Sequence, residues 1–360
     1  MRILFIQGGF GTGGAEKIVA MIANHRVAQG DEVEVAAMRA PKDGTYYNYA
    51  PDITLTVLEP DVDMSAPVSQ LRRLRHVRRL IRKRKPDVIV SFLTKINVLT
   101  LVAGMGRRVP IVISERNNPN VQNNHPVWKK AAMLLGPRAN AIVTLTERGR
   151  DQLPSKLHQR TQVIPNPCTP MTGTRIQTDD RATDLVAVGR LDWQKGFDML
   201  LQCLAKLREA HPDINLTIYG DGPERSSLEH LRSELKLEDV VSMPGTTQRH
   251  GAWLGEGDIV VVTSRYEGFC NVVAEATLSG VPIVSFDCDF GPREMIQHEV
   301  NGLLVQTGNV EKLTENLHRL IEDAELRKGM AKAANLNRDY LDPARVLGDW
   351  DRVIDSAAEV

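Results

Sequence analysis

Short apolar runs alternate along the chain with segments whose apolar residues recur every three or four positions. Because strands buried on both faces of a parallel sheet are continuously apolar, the runs predict parallel strands joined by helices. The runs form two series, which predict two doubly wound α/β domains. They lie at 2–7, 32–37, 87–92, 110–114 and 140–145, and then at 184–189, 214–219, 239–243, 258–263, 282–286 and 303–305.

A segment without periodicity separates the two series. Residues 165–183 contain proline, threonine and aspartate in a pattern typical of loops, and they place a linker at 169–183. The sequence therefore predicts an N-terminal domain over 1–168 and a C-terminal domain over 184–341. A helix within 342–360 is expected to pack back on the first domain, and a cleft is expected between the domains.

The composition excludes several classes of protein. Hydrophobic residues make up 42% of the chain and charged residues 25%, as in a globular protein and unlike a disordered, collagen-like or coiled-coil chain. No apolar run approaches the ~20 residues that span a bilayer. The apolar run at the amino terminus is too short for a signal peptide, so a cytoplasmic protein is expected. The cysteines show neither metal-ligand nor disulfide spacing: Cys168, Cys203, Cys270 and Cys288.

The charge is distributed unevenly between the two halves. The formal net charge of the whole chain is zero. Residues 1–170 contain 25 lysines and arginines against 13 aspartates and glutamates, whereas residues 171–360 contain 20 against 32. A basic first half in a neutral protein indicates an anionic partner for that half.

A glycine-rich turn follows the first predicted strand. Residues 9–14 match G-x-G-x-x-G between a strand and a helix, which is typical of dinucleotide-binding folds. An NAD(P)-dependent oxidoreductase using the Gly9–Gly14 loop is therefore an alternative prediction. The acidic residues at 31–34, however, precede or lie within the second strand, and Met38 and Arg39 occupy its carboxyl end. The glycines equally suit a polar substrate that approaches N–H groups at a helix start.

Two strand ends in the second half combine cations, a glycine and carboxylates. Arg190 and Lys195 follow the first strand of the second series, where α/β sheets bind ligands, and two cations there suit a diphosphate. After the fourth strand, Glu267 and Glu275 flank a loop that enters a helix. The N–H groups of residues 268–271 can bind hydroxyl or phosphate oxygens, and the two oxygens of Glu275 match the vicinal hydroxyls of a ribose.

These motifs resemble those of the retaining glycosyltransferases of family 4, also called group 1, which have the GT-B fold. The resemblance implies a nucleotide-sugar donor held by the second domain and an acceptor held by the first. It also implies retention through a front-face path in which the donor phosphate takes the acceptor proton. The matching segments are 13–16, 189–190, 195–196, 220–223, 267–276, 291–294 and 301–305.

The resemblance also implies roles for individual residues. Arg190 and Lys195 would bind the donor diphosphate, and Glu267 would bind the sugar. Glu275 would bind the ribose. Gly13 and Gly14 would close over the phosphates from the other domain. The predicted catalytic residues are thus Arg190, Lys195 and Glu267, and the predicted donor-binding residues are Gly13, Gly14, Gly222, Gly268, Phe269, Cys270, Asn271 and Glu275.

The sequence departs from the family pattern at two places. Many relatives carry a histidine near the donor sugar, where this chain has Arg116, which implies contact with an anionic acceptor. Asp287-Cys288-Asp289 matches the metal motif of a different glycosyltransferase fold, but the sequence suggests no third ligand. We therefore expect no cofactor and no obligatory metal.

Residues 71–85 hold nine lysines and arginines and no acid. Leu71, Leu74, Val77 and Ile81 recur at helical spacing and predict a narrow apolar stripe. Such a helix can dock on anionic lipid headgroups or hold a polyprenyl diphosphate. It lacks the interleaved aromatic residues of nucleic-acid-binding segments, so nucleic acid is not an expected partner. The predicted acceptor- or membrane-contacting residues are Arg72, Arg73, Arg75, Arg78, Arg79 and Arg82.

The first domain is also similar to bacterial enzymes that extend lipid-linked oligosaccharides, including those adding N-acetylgalactosamine. The residues behind this similarity lie at 91–93, 113–115 and 164–168. We therefore predict a retaining transferase that moves a hexose or N-acetylhexosamine from a nucleoside-diphosphate sugar, expected to be a UDP-sugar. The expected acceptor is a glycan carried on polyprenyl diphosphate, in bacterial polysaccharide or glycan assembly. The enzyme is expected to be peripheral on the inner face of the cell membrane.

Overall fold

The computed structural model divides the chain into two compact units, Met1–Asn166 with Ala344–Val360 and Pro167–Pro343. Each unit is built on one parallel sheet. The structure describes residues 1–11, 13–41, 44–59, 67–116, 126–171, 183–247 and 251–359, without the side chains of 67–69 and 335. The part of the predicted linker at 172–182 lies outside the described residues.

The first unit contains a seven-stranded parallel sheet. Its strands are β1 (Arg2–Gly9), β2 (Glu32–Arg39), β3 (Thr54–Val57), β4 (Val88–Phe92), β5 (Ile111–Ser114), β6 (Ala141–Thr144) and β7 (Thr161–Val163). The spatial order is β3-β2-β1-β4-β5-β6-β7. The direction of winding reverses between β1 and β4, and α/β sheets bind ligands at such a switch point.

Helices pack on both faces of the first sheet. Ile3 and Phe5 of β1 point into one core, and Leu4 and Ile6 point into the other, because side chains alternate along a strand. The helices of this part of the chain are α1 (Gly14–Ala28), α2 (Pro67–Arg84), α3 (Thr94–Ala103), α4 (Pro126–Leu135) and α5 (Glu147–Asp151), with 3-10 turns at Gly136–Arg138 and Ser155–Arg160.

The second unit contains a six-stranded parallel sheet. Its strands are β8 (Asp184–Val188), β9 (Asn215–Tyr219), β10 (Val241–Gly245), β11 (Ile259–Val262), β12 (Ile283–Phe286) and β13 (Leu303–Val305). The order is β10-β9-β8-β11-β12-β13, so the switch point lies between β8 and β11. The helices are α6 (Phe197–Ala210), α7 (Arg225–Glu234), α8 (Asn271–Leu278), α9 (Pro292–Met295), α10 (Val310–Glu322), α11 (Ala324–Lys332) and α12 (Arg338–Leu341), with 3-10 turns at Trp193–Lys195, Ala252–Gly255 and Ala333–Asn337.

The last helix, α13 (Pro343–Ala358), belongs to the first unit. Its Trp350 is fully buried, and the Trp350 ring lies 5.6 Å from the Phe92 ring, centroid to centroid. Arg26 of α1 is 3% exposed and donates to Asp351 at 3.0 Å and to Asp355 at 2.8 Å, both on α13. Burial opposes the charge on Arg26, but the carboxylates outweigh burial and raise its pKa. An apolar contact and an ion network therefore fasten α13 to the first unit.

The predicted fold class of two doubly wound parallel sheets is confirmed. Every predicted strand is present, with ends displaced by one or two residues. The pattern missed β3 and β7, the two edge strands of the first sheet. Three of the four β3 side chains are exposed, and β7 has only three residues, so neither forms a continuous apolar run.

Candidate active site

Two loops leave the switch point of the second sheet. Strands β8 and β11 are parallel neighbours, so the segment after β8 and the segment after β11 emerge at the same edge. The side chain of Gln194 donates to the Tyr266 carbonyl at 2.9 Å, and the Arg265 N–H donates to the Gln194 carbonyl at 2.7 Å. The Thr263 hydroxyl donates to the Lys195 carbonyl at 3.0 Å. The two loops are thus joined into one rigid surface.

A buried ion pair lies at this edge. Lys195 Nζ donates to Glu267 Oε1 at 2.6 Å, and the Ser264 hydroxyl donates to the same oxygen at 2.6 Å. The side chains of Lys195 and Glu267 are 20% and 8% exposed. Burial alone would lower the pKa of Lys195, but the Glu267 carboxylate outweighs burial and raises it. Lys195 is therefore a fixed positive charge at neutral pH.

Arg190 lies on the solvent side of the same loop. Its side chain is 70% exposed, and its Nε donates to Asp192 Oδ2 at 2.5 Å. The structure thus brings both predicted cations to one strand end, Lys195 buried and Arg190 exposed. Two positive charges at different depths suit the two phosphates of a diphosphate.

The segment 268–275 leads into α8 and includes the first residues of that helix. Phe269 and Cys270 are buried, and Cys270 adopts a left-handed conformation with φ +69° directly before the first helical residue, Asn271. The N–H groups of Val273 and Ala274 in the first turn of α8 donate to the Cys270 carbonyl, at 3.1 and 3.3 Å. Burial and the nearby Glu267 carboxylate raise the pKa of the Cys270 thiol, which therefore stays protonated. Glu275 follows on α8 and is 6% exposed.

Gly222 has a structural reason to be glycine. A Cβ there would lie 2.4 Å from the Leu191 carbonyl oxygen. The N–H of Leu191 donates to the Asp221 carbonyl at 3.0 Å, so the 220–223 turn packs against the loop that carries Arg190. The structure therefore places predicted residue Gly222 beside the two cations.

The Asp287-Cys288-Asp289 motif follows β12. Asp287 forms an ion pair with Arg293, in which Arg293 Nε donates to Asp287 Oδ1 at 3.0 Å. Burial is the main cause that raises the pKa of the Cys288 thiol. No group of three or more metal-ligating side chains occurs among the described residues.

In the first unit, the glycine loop lines a cleft at the switch point of the sheet. The cleft holds about 480 Å³ and is lined by residues 8–11, Gly13, Glu16, 39–41 and Leu93. Gly13 precedes α1, and Gly14 is the first residue of that helix. A Cβ on Gly13 would lie 2.1 Å from a carboxylate oxygen of Glu16, whose pKa is raised by burial.

The carboxylates at 31–34 lie toward the amino ends of β1 and β2, away from the glycine loop, and form structural pairs. Asp31 accepts from Arg26 Nε at 2.6 Å, and Glu34 lies 2.7 Å from Arg84 Nε. Arg39 is the last residue of β2, where a dinucleotide fold needs a ribose-binding carboxylate. The placement of these residues therefore does not support the oxidoreductase alternative.

Arg116 follows β5 and is 8% exposed. Its guanidinium lies 5.8 Å from the Phe92 ring centroid, and one of its nitrogens donates to the side-chain oxygen of Asn166. Its Nη1 is buried and has no hydrogen-bond partner among the described residues. Burial lowers the pKa of Arg116 to about 9, so the side chain remains charged at neutral pH. Such a cation is suited to receive an anion.

The side chains that the basic helix α2 buries are not all the ones that were predicted. Arg73 is 2% exposed, and its Nε lies 3.4 Å from the fully buried carboxylate of Glu59. Arg73 shares the inner face with Val77 and Ile81, whereas Leu71, predicted for that face, is 62% exposed. Arg73 is therefore not available to a membrane. The predicted arginines on the exposed surface are Arg72, Arg75, Arg78, Arg79 and Arg82.

The structure thus brings Arg190, Lys195, Glu267 and the start of α8 to one edge of the second sheet, while Arg116 and α2 lie in the first unit. Sequence reasoning missed Ser264 and Asp192, which hold Glu267 and Arg190. Both residues could have been found from their positions in the sequence, because each is a polar residue that closely follows a strand.

No helix in the described part of the chain combines the length and the apolar composition needed to cross a bilayer.

Comparison with known proteins agrees with this arrangement. The pattern of the family described as glycosyl transferases group 1 matches residues 175–336, and that of glycosyltransferase family 4 matches residues 12–170. An uncharacterized glycosyltransferase of Haemophilus influenzae is 25% identical over 351 residues, which cover 97% of this chain and 98% of that protein.

Two further relatives carry more specific descriptions. The N-acetylgalactosamine-N,N'-diacetylbacillosaminyl-diphospho-undecaprenol 4-alpha-N-acetylgalactosaminyltransferase of Campylobacter jejuni is 26% identical over 359 residues, covering 94% of this chain and 95% of that enzyme. The crystal structure of HepE from Anabaena in complex with UDP has a TM-score of 0.78 at 20% identity, covering 99% of this chain and 100% of HepE. Since the two family patterns together match most of the chain, in order and without overlap, the chain belongs to the group 1, or family 4, glycosyltransferases of the GT-B fold.

Proposed function

We propose that this glycosyltransferase moves a hexose or N-acetylhexosamine, with retention, from a UDP-sugar to a glycan carried on polyprenyl diphosphate. The role is in bacterial polysaccharide or glycan assembly. The observation that carries the proposal is the buried Lys195–Glu267 pair at the switch point of the second sheet. Similarity to the Campylobacter jejuni enzyme, which is named for a diphospho-undecaprenol acceptor, supports the acceptor, and similarity to HepE in complex with UDP supports the nucleotide.

The second unit is proposed to bind the donor. Lys195 and Arg190 bind its two phosphates, and Glu275 binds the ribose hydroxyls. Glu267, with the backbone of residues 268–271, binds the sugar. In the reaction the bond from the anomeric carbon to the phosphate oxygen breaks, and negative charge grows on the departing UDP. Lys195 is already charged and held in place, so it stabilises that charge without reorganising.

Retention is proposed to follow from attack on the face that the phosphate leaves. The acceptor hydroxyl oxygen forms the new bond to the anomeric carbon, and its proton passes to the departing phosphate oxygen. No enzyme nucleophile is needed on this path. The protonated thiol of Cys270 is consistent with that, because a thiolate is the nucleophilic form of cysteine.

No obligatory metal is proposed for the reaction. The carboxylate that opens the Asp287-Cys288-Asp289 motif is already neutralised by Arg293. Lys195 and Arg190 supply the positive charge that a divalent cation supplies to a diphosphate in other enzymes. Equal rates with and without a chelator of divalent cations support this part of the proposal, and loss of activity that Mg²⁺ or Mn²⁺ restores contradicts it.

The first unit is proposed to bind the acceptor and the membrane surface. Arg116 offers an anionic group of the acceptor its Nη1 N–H, which has no partner within the part of the chain that the structure describes. The exposed arginines of α2 contact anionic lipid headgroups, each contributing about 1 kcal/mol near the surface. The enzyme is accordingly proposed to be peripheral on the inner face of the cell membrane.

Ligand-induced thermal stabilisation tests the donor. A ligand at 100 times its dissociation constant adds roughly 2.7 kcal/mol to the free energy of unfolding. UDP and one UDP-sugar are expected to stabilise the wild type and Glu315→Ala, which removes an exposed glutamate of the same unit, but not Glu275→Ala. Stabilisation by NAD(P) alone, or by no nucleoside diphosphate, contradicts the proposal. Proton NMR of the product then reports retention, since the anomeric configuration of the donor is preserved.

A further inference from the structure

The exposed indole of Trp193 and the half-buried ring of Tyr266 lie beside the Lys195–Glu267 pair. The Trp193 side chain is on the surface, with the residue 62% exposed. The ring of Tyr266, the residue before Glu267, lies 6.3 Å from the Trp193 ring, centroid to centroid, with 48° between the ring planes. A large exposed indole next to a transfer site indicates a contact surface for a ligand.

The position of Trp193 is fixed although the ring is exposed. The Arg265 guanidinium lies 4.7 Å from the centre of the Trp193 ring, and Arg265 Nη1 donates to the Trp193 carbonyl at 2.7 Å. Both terminal nitrogens of Arg265 also donate to the Asp198 carboxylate, at 2.9 and 2.7 Å. Because Arg265 is held from two sides, the indole is supported before any ligand arrives, and binding costs little ordering entropy.

The shape of the pair favours a saccharide over a nucleobase. Two parallel rings form a slot for a flat base, whereas rings at 48° fit the puckered C–H face of a pyranose. The rim around the pair is polar, with the exposed Arg190 and the hydroxyl of Tyr266, which suits ring hydroxyls. Glu267 is 6% exposed, so a sugar resting on Trp193 lies on the solvent side of the buried pair, outside the place proposed for the donor sugar.

We propose that Trp193 and Tyr266 form a subsite for a saccharide ring of the acceptor glycan, next to the residue that receives the transferred sugar. This inference rests on the proposed glycan acceptor and deepens it. The subsite belongs to the second unit, whereas the proposed anion contact at Arg116 belongs to the first.

Protein NMR with ¹⁵N-labelled tryptophan tests the subsite in the full chain. The signal of Trp193 is assigned with Trp193→Phe, and the signal of Trp253, which is 2% exposed, serves as an internal control. The probes are a linear N-acetylgalactosamine trisaccharide, uridine and UDP, each titrated separately. The trisaccharide is expected to shift the Trp193 signal without shifting that of Trp253.

The affinity for the trisaccharide is then compared among variants by ligand-observed NMR. Trp193→Ala is expected to weaken binding about threefold to tenfold, whereas Trp193→Phe has a smaller effect because an aromatic face remains. Leu336→Ala, which removes an exposed apolar side chain of the same unit, is expected to leave the affinity unchanged. A Trp193 shift caused by uridine but not by the trisaccharide, or by neither, overturns the proposal.

The same variants separate this inference from the proposed donor. UDP is expected to stabilise Trp193→Ala as much as the wild type. If UDP fails to stabilise the wild type while the trisaccharide still shifts the Trp193 signal, the proposed donor is wrong and the subsite stands. If UDP stabilises the wild type but the trisaccharide does not shift the Trp193 signal, the proposed subsite is wrong and the proposed donor stands.

Discussion

The ammonium nitrogen of Lys195 lies 2.6 Å from Oε1 of Glu267, in a surrounding that leaves each side chain one-fifth exposed or less. Another pair at the same distance, Lys206 with Glu311, is at least half exposed on both sides. An exposed ion pair contributes ~0–1 kcal/mol to stability, whereas breaking a buried one leaves a charge without a partner. The two pairs are therefore matched in geometry and differ in environment.

Lys195→Met is expected to lower the turnover number by about 100-fold to 1000-fold, because it removes stabilisation of the departing phosphate. It is also expected to reduce the free energy of unfolding by about 3 kcal/mol. Initial rates at saturating donor and urea denaturation measure the two effects. Lys206→Met serves as the matched control.

A double variant separates catalysis from folding at this pair. Lys195→Met with Glu267→Gln removes both charges, so it should recover much of the lost stability but none of the activity. If Lys195→Met behaves like Lys206→Met, or if the double variant regains turnover, Lys195 does not have the proposed role.

Arg116→Met is expected to leave the free energy of unfolding unchanged or to raise it. The substitution removes a buried cation that has no carboxylate partner among the described residues. The same variant should raise the KM for an anionic lipid-linked acceptor about tenfold or more while sparing donor binding. Urea denaturation and acceptor kinetics check the prediction, with the exposed Arg107→Met as control. A large loss of stability without a change in KM would show that Arg116 has a structural role.

Membrane docking is expected to depend on the outer face of α2. Replacing Arg75, Arg79 and Arg82 by glutamate should abolish flotation with vesicles containing about one-third anionic lipid at low salt. A control with the same change in charge replaces three exposed lysines of the second unit, and it should float like the wild type. Equal flotation of both variants would contradict docking through α2. The control positions are Lys206, Lys312 and Lys328.

The contact between α13 and α1 is expected to weaken in acid. Burial alone would raise the pKa of Asp351, but hydrogen bonds from His25, Gln29 and Arg26 outweigh burial and lower it. A carboxylate whose pKa is lowered by folding stabilises the native state above its unfolded pKa of about 3.9, and this contribution is lost as the pH falls through the folded pKa.

Asp351→Asn should therefore cost about 2 kcal/mol of unfolding free energy at pH 7 and less at pH 3.5. Urea denaturation at several pH values measures the difference between the variant and the wild type. The exposed Asp239→Asn, which removes a surface partner of Arg208, is the control and should have a small effect at pH 7. A difference for Asp351→Asn that does not shrink in acid would contradict the assigned role.

The sequence was sufficient to predict the central strands and the charged residues that follow their carboxyl ends. Buried parallel strands must be apolar throughout, and the carboxyl edge must carry the polar groups, so Lys195 and Glu267 were visible as neighbours of strands. The edge strand β3 was not visible, because an edge exposes its side chains and loses the apolar signal.

Helical spacing alone could not predict which face of α2 is buried. The spacing favoured Leu71 as a buried residue, but burial of Arg73 depends on Glu59, a carboxylate that precedes the helix in sequence and meets it only in the folded chain. The sequence could not show that Arg116 Nη1 lacks a hydrogen-bond partner among the described residues, since this depends on which side chains surround that atom in the fold.

Helix α13 has a consequence for how the protein is made. One face of the first sheet packs against Val346, Trp350, Val353 and Ile354, which follow the whole second unit along the chain. While the ribosome is still producing the second unit, α1 can cover part of that face, but the apolar area that α13 buries stays open. The second unit can complete its fold before the first one does, so the order of maturation is the reverse of the order of synthesis. Until α13 emerges, the nascent chain exposes the apolar surface that this helix buries in the folded protein.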